Sequence, residues 1–326
     1  VFAPELELKL VHTAAPPAPT AQAAENVLQR IEWTVLRRLD GALQGDYRML
    51  LRGFGIDLAD LREYQHGDDA RTIDWNATAR FGLTHVRQYN EDREVAAWFL
   101  VDLSGSVNFG SSGITKRAMA VDFVAVMARL LTRHGNRAGA LLYTDAIDTV
   151  LPARGGRRHV LHLIDRIATT APAQGHGKPT QLGALFARAA QVIKRRSLVF
   201  VVSDFISEPG WAGALAFLGQ RHEVIAVRLR DAVETALPDL GMVIMEDAET
   251  GQQLFVDTHD AGFRRRFAAL AAQRETALRE ALAKAGADCV ELSTGDDLAD
   301  TLMRFARLRK RRAQIAGGGV PAALVK

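Results

Sequence analysis

The sequence predicts an α/β protein built on a three-layer, doubly wound, mostly parallel sheet, with an N-terminal helical segment attached. Three observations carry that prediction. Two apolar runs, Ala97 to Val101 and Leu198 to Val202, have no polar interruption and each ends close to a carboxylate, Asp102 and Asp204. Runs of that kind read as strands buried on both faces. Strand-like segments then alternate with helical periodicities from about residue 94 to 313, the pattern of crossover connections that cover both faces of a sheet.

The elements follow in order. Residues 1–10 alternate well enough for a short extended arm, and Pro16, Pro17 and Pro19 mark a linker, so residues 1–20 form an arm and linker. Val27, Ile31, Val35, Leu39 and Leu43 recur at helical spacing, predicting one long or broken helix over about 21–51, interrupted near Gly41 or Gly45. A polar stretch from Asp57 to Arg80 follows, with a turn at Gly67-Asp68-Asp69 leading into a short helix that carries Ile73 and Trp75 inward. Leu83 to Tyr89 alternates like a strand and completes a segment spanning 21–93.

After the first buried strand come a helix at Lys116 to Arg133, closed by Gly135, and a strand at Arg137 to Tyr143. A turn at Thr144-Asp145 makes the next strand, Ile147 to Leu151, antiparallel. Helices at Arg157 to Thr169 and Leu182 to Lys194 precede the second buried strand. Beyond it the spacing predicts a helix at Trp211 to Gln220 and a strand at Glu223 to Leu229. An inserted hairpin at 241–257, a helix from Ala261 to Ala285, a strand around Cys289 and a last helix from Leu298 to about Arg312 complete a domain over 94–313, with a tail at 314–326.

Composition narrows the function. Hydrophobic residues make up 48% and charged residues 24%, enough for a sizeable core. The net charge of +3 is small, and Arg supplies 34 of the 41 basic residues along the whole chain, which argues against a nucleic-acid partner. Short basic runs at Lys194 to Arg196, Arg264 to Arg266 and Arg307 to Arg312 read as charges at helix C-termini or on solvated faces. The single cysteine, Cys289, rules out an intramolecular disulfide and fits a reducing compartment. No apolar run reaches the roughly 18 residues that span a bilayer, so a cytoplasmic location is expected, with membrane association through partners left open. The chain does not open on Met, which leaves an upstream anchor open as well.

The chemistry-bearing residues gather where strands end. Asp102, Ser104 and Ser106 leave the first buried strand in an Asp-x-Ser-x-Ser loop. Thr180 precedes the helix at Leu182, and Asp204 follows the second buried strand. Ligands of open α/β sheets bind beyond the carboxyl ends of the strands. All five residues are hard oxygen donors, which suit Mg²⁺ or Mn²⁺ rather than zinc or copper. Two carboxylates among neutral hydroxyls leave a divalent ion with its coordination open to a carboxylate from outside. The plainer alternative makes them capping and turn residues. His159 and His162, one helical turn apart, lack an acid and read as a solvated face.

The set Asp102, Ser104, Ser106, Thr180 and Asp204 resembles the metal-ion-dependent adhesion site of von Willebrand factor type A domains. The segment Asp60-Leu61-Arg62-Glu63-Tyr64, Gly67-Asp68-Asp69, Ile73-Asp74-Trp75, Ala79-Arg80 and Val86-Arg87 resembles the bacterial domain-of-unknown-function family fifty-eight, whose members carry it before a von Willebrand A-like domain. The resemblance implies a partner class, MoxR-type AAA+ ATPases, and a role in the assembly or maturation of other proteins. Many members carry membrane-spanning helices before the signature, which this chain does not show.

Arg62, Tyr64, Asp68, Asp69, Arg71, Asp74 and Arg80 form either a partner-docking surface or a hydrogen-bonded brace for the sheet, anchored by Trp75. Three function classes stay open. The first is a metal-dependent module that binds an Asp or Glu exposed on a partner protein. The second is a Mg²⁺-dependent hydrolase or phosphotransferase using Asp102. The third is a structural domain with a vestigial site. No Gly-rich phosphate loop or nucleophile elbow favours the second.

Overall fold

The computed structural model describes residues 21–39, 60–65, 73, 75, 78–79, 82–88, 96–144, 147–171, 179–246 and 252–315. The N-terminal arm, the linker, Gly41, Gly45, residues 316–326 of the tail and Asp145 lie outside them. So do Asp68, Asp69, Arg71, Asp74 and Arg80.

Helix α1 (Ala21–Ile31) runs on through one π-helical turn, Glu32–Leu36. A two-stranded antiparallel ribbon follows, β1 (Asp60–Glu63) against β2 (His85–Gln88). The sequence reading assigned β2 alone. Between the two strands Trp75 is 71% exposed, so it does not turn inward as expected and does not anchor the segment on the described surface. Tyr64, where β1 ends, is exposed as well, and its N–H donates to the Thr84 carbonyl at 2.8 Å.

The main sheet has six strands: β3 (Ala96–Asp102), β4 (Arg137–Tyr143), β5 (Ile147–Arg154), β6 (Leu198–Ser203), β7 (Glu223–Arg230) and β10 (Asp288–Ser293). Their order across the sheet is β10-β7-β6-β3-β4-β5. All neighbours are parallel except the β4–β5 hairpin at the edge. β5 runs three residues beyond the expected Leu151, to Arg154, through a bulge at Pro152-Ala153 opposite Gly139. A Cβ there would lie 2.9 Å from the Leu151 carbonyl oxygen, so the two strands approach that closely only across a glycine.

Alternate residues of each buried strand feed two cores. Ala97, Phe99 and Val101 of β3 join Phe200 of β6 on one face, under α2 (Lys116–Arg133), α3 (Arg157–Thr169) and α7 (Leu298–Ile315). Trp98 and Leu100 face the other way, under α4 (Leu182–Val192), α5 (Trp211–Arg221) and α6 (Ala261–Lys284). Leu28, Ile31, Leu36 and Leu39 of the N-terminal helix belong to the first core. That helix is also tied down by ion pairs from Arg157 to Glu25 at 2.6 Å and from Arg129 to Glu32 at 2.7 Å.

The hairpin β8 (Met242–Glu246) and β9 (Gln253–Asp257) packs Met245 and Val256 against Phe109 and Leu237 in a third, smaller cluster. One surface reading changes. His159 is not a solvated residue: it is half-buried, with Nε2 2.8 Å from the Ala138 carbonyl oxygen. Arg264 to Arg266 lie at the N-terminal end of α6, where the helix dipole is unfavourable to cations. Arg265 and Arg266 are exposed, as a solvated face requires, while Arg264 pairs with Asp239 at 3.3 Å and Arg266 with Asp260 at 3.7 Å.

Phe200 is the keystone of the first core. Its ring stacks on Phe99 at 5.2 Å and meets the edge of Phe123 at 5.5 Å. Phe200→Ala is expected to cost about 3–5 kcal/mol, because three rings lose their common contact and the sheet cannot close the gap. Urea unfolding followed by circular dichroism measures it.

Candidate functional site

The strand order reverses between β3 and β6. Chains leaving these neighbouring strands turn to opposite sides, which opens a crevice beyond their carboxyl ends. Asp102 is the last residue of β3, and Asp204 is the first residue after β6. Both are buried, as are Ser104, Ser106 and Thr180.

The β3 loop is organised by its own aspartate. Asp102 Oδ1 accepts the Ser104 N–H at 3.0 Å, which bends the chain at once into a 3₁₀ turn, Gly105–Asn108. The bend brings the Ser104 and Ser106 hydroxyls within 3.2 Å of each other. Asp102 Oδ2 accepts the hydroxyl of Ser203, the last residue of β6, at 2.7 Å. One carboxylate therefore bridges the two strands on either side of the crevice.

Asp204 sits in a tighter turn. Its Oδ1 accepts the Ile206 N–H at 3.0 Å, and the Ser203 hydroxyl accepts the Phe205 N–H at 2.8 Å. Phe205 has φ of +62°, a left-handed conformation that costs a residue with a side chain on the order of 1 kcal/mol. Packing of its ring on Trp211, 5.5 Å away, holds it there. Strain of this kind in a non-glycine residue gathers at functional sites.

Thr180 arrives from the third loop and is fixed by its backbone. Its carbonyl accepts the Ser207 hydroxyl at 2.8 Å and the Glu208 N–H at 2.9 Å. The next two N–H groups, at the start of α4, donate to the Tyr143 hydroxyl and to Ser207 Oγ. Tyr143 lies opposite Asp102 in the β3–β4 register, so all three loops meet at one edge of the sheet.

Sequence reasoning missed a further participant. Lys116, the first residue of α2, is wholly buried, and its ammonium donates to Asp204 Oδ2 at 2.8 Å and to Glu234 Oε1. Glu234 is aimed by a reciprocal cap at the end of β7. Asp231 caps a 3₁₀ turn, Ala232–Glu234, and Glu234 Oε2 accepts the Asp231 N–H at 2.9 Å. Asp231 also takes the Ser111 N–H at 2.8 Å and the Ser111 and Thr294 hydroxyls at 2.6 Å each. These bonds outweigh the effect of burial and hold its carboxyl below the usual range. They also pin the loop between the 3₁₀ turn and α2. Within that loop Gly110 lies against the Ile114 carbonyl, in space a Cβ would need.

Two signals for this arrangement were present. Asp231-Ala232-Val233-Glu234 has the spacing of a reciprocal cap. Lysine is scarce, seven residues against 34 arginines, and one of the seven opens a helix, where a cation is disfavoured.

Electrostatically the site combines, among the described residues, the acids Asp102, Asp204 and Glu234 with one cation, Lys116. Burial, together with the neighbouring charge of Asp204, pushes the Asp102 carboxyl up to about 7. Burial likewise raises Glu234, against the opposing pull of Lys116. Among the described residues no three His, Cys, Asp or Glu side chains form a group that could hold a metal ion, so a metal here would rely on hydroxyls. The donor set fits a hard divalent cation. Asp102, Asp204, Ser104, Ser106 and Thr180 are oxygen donors brought to one edge, and among the described residues Asp102, Asp204 and Glu234 outnumber the one ammonium.

In chelator-treated protein, stability is expected to fall as pH rises. The Asp102 carboxyl is raised above its unfolded value of 3.8, so the folded state keeps the proton longer. The stabilisation is complete below the unfolded value and is lost as pH passes through about 7. The loss should reach a few kcal/mol, on the order of 1.4 per pH unit of displacement. Urea unfolding at several pH values, with Asp102→Asn as the flat reference, measures it.

The family model described as "Protein of unknown function DUF58" matches residues 60–277. Uncharacterized proteins of Mycobacterium tuberculosis (Rv1480) and Mycobacterium bovis (Mb1516) are each 36% identical over 288 residues, covering 88% of this chain and 90% of theirs. Among solved structures, the conserved hypothetical protein BatB from Bacteroides thetaiotaomicron aligns with a TM-score of 0.45 at 12% identity, over 68% of this chain and 99% of that one. An aerotolerance-related membrane protein from Bacteroides fragilis aligns with a TM-score of 0.46, also at 12% identity, over 67% of this chain and 99% of that one. No described helix of the present chain is long and apolar enough to cross a membrane. The match over residues 60–277, together with relatives similar along most of their length, makes this chain a member of the DUF58 family.

Proposed function

We propose that the chain is a metal-ion-dependent protein-interaction module of von Willebrand A-like architecture, which holds Mg²⁺ or Mn²⁺ and binds an acidic group of a partner protein through it. The observation that carries this reading is the meeting of Asp102, the paired hydroxyls of Ser104 and Ser106, and Asp204 at the point where the strand order reverses. The open sheet with a single antiparallel edge strand is the architecture that the reading requires.

Asp102, Ser104, Ser106, Thr180 and Asp204 would hold the ion. When bound, the ion supplies a positive coordination position that a carboxylate oxygen from outside can fill. The chain's own residues do the rest. Ser203 holds Asp102 toward the crevice, the Asp204 turn sets the second acid beside it, and Tyr143 and Ser207 fix the start of α4 next to Thr180. The buried setting strengthens each charge interaction by keeping water away.

The role in assembly or maturation together with a MoxR-type AAA+ ATPase rests on the family resemblance. In that setting the ATPase would act on the complex formed here. The reading gives the chain an adhesive task and a cytoplasmic location.

Asp102→Ala is expected to abolish Mn²⁺ binding, followed by titration calorimetry, and to abolish chelator-sensitive capture of a MoxR-type ATPase complex, while circular dichroism stays unchanged. Wild-type protein that binds no Mn²⁺ at millimolar concentration would count against the reading. Metal-dependent turnover of a phosphate ester that disappears in Asp102→Ala would favour a hydrolase instead.

A further inference from the structure

Burying an ammonium is costly unless carboxylates surround it, and the start of a helix adds an unfavourable dipole. Lys116 meets both conditions: its side chain is 0% exposed and it opens α2. A residue so placed needs a compensating structure, and the molecule supplies one from two distant segments. Asp204 comes from the end of β6, and Glu234 from the capped turn after β7. Asp204 is 1% exposed and Glu234 is 21% exposed at the side chain, so the triad runs from the interior of the site toward its rim.

Asp204 is thereby shared. Its Oδ1 is engaged by the Ile206 N–H and its Oδ2 by the ammonium, and it is also one of two acids proposed to face a divalent ion. A fixed positive charge on that carboxylate reduces the negative potential a second cation would meet. Glu234 acts in the opposite sense, because it draws part of the ammonium's charge away from Asp204. Lysine suits this task better than arginine, since its compact head can sit between two single oxygens rather than fork onto one carboxylate.

We infer that Lys116 is a tethered counter-cation that sets the strength of divalent-cation binding at Asp102 and Asp204, with Glu234 as its counterweight. This inference rests on the proposed metal-binding reading of the site. It assigns Lys116 and Glu234 as positioning residues that act through Asp204. In the metal-free protein Lys116 and the Ile206 N–H hold Asp204 in place, so the site is formed before any ion arrives. Lys116 also keeps the ion exchangeable by limiting how tightly the two acids can hold it.

The sign of the effect separates this role from simple support of the fold. Full-length wild type, Lys116→Met and Glu234→Gln are titrated with Mn²⁺, with free Mn²⁺ read by electron paramagnetic resonance, and thermal unfolding is recorded with and without the ion. Lys116→Met should bind Mn²⁺ about tenfold more tightly, because two acids lose their internal cation. Its melting temperature should fall without metal and recover when Mn²⁺ is added. Glu234→Gln keeps an oxygen for the Asp231 N–H but returns the ammonium's charge to Asp204, so Mn²⁺ should bind about threefold more weakly.

Folded Lys116→Met with unchanged or weaker Mn²⁺ affinity overturns the inference and leaves the metal-binding reading standing. If Lys116→Met does not fold, Glu234→Gln decides: weaker binding supports the inference, and unchanged or tighter binding overturns it. Wild type that binds no Mn²⁺ overturns the metal-binding reading and this inference together.

Discussion

A buried lysine held between two carboxylates is the constraint around which the functional edge of this molecule is arranged. Lys116 cannot stay in the interior unless Asp204 and Glu234 reach it, and each needs its own support. Asp204 is aimed by a turn that forces Phe205 into a left-handed conformation. Glu234 is aimed by the reciprocal cap with Asp231, which in turn gathers Ser111 and Thr294. A single ammonium thus links the ends of β6 and β7 to the start of α2 and, through Asp231, to the loop that follows the paired serines.

The crevice itself is a consequence of winding. β3 and β6 are neighbours, yet the chain leaves them in opposite directions, so their carboxyl ends stay uncovered by a crossover. Asp102 uses both of its oxygens to close this gap, one on the Ser104 N–H of its own loop and one on the Ser203 hydroxyl across the crevice. The carboxylate is therefore structural and polar in one position. Its raised proton affinity reflects the burial that this bridging demands.

Much of the fold was legible from residues alone. The apolar runs of β3 and β6, the period of α2 between Lys116 and Arg133, and the Gly135 stop each follow from local chemistry, and each lies where it was expected. The segment between α1 and β3 was read less well. Trp75 looked like an anchor because tryptophan usually buries, but burial needs a partner surface that a local pattern cannot supply, and the ring is exposed. β1 was overlooked because Asp60-Leu61-Arg62-Glu63 has no strand-like alternation of its own and takes its form from pairing with β2.

The sequence by itself determined the layered α/β architecture, the family membership carried by the segment before β3, and the gathering of Asp102, Ser104, Ser106, Thr180 and Asp204 at strand ends. These depend on periodicity and on the rule that parallel strands end side by side. Only the tertiary structure decided what stands opposite those acids. Lys116 lies 88 residues from Asp204 and 118 from Glu234, and nothing local couples them. Their meeting depends on which face of the sheet α2 covers and on the path of the chain after β7. A charge read from sequence has a sign, but its weight depends on the water removed from around it, and only packing sets that.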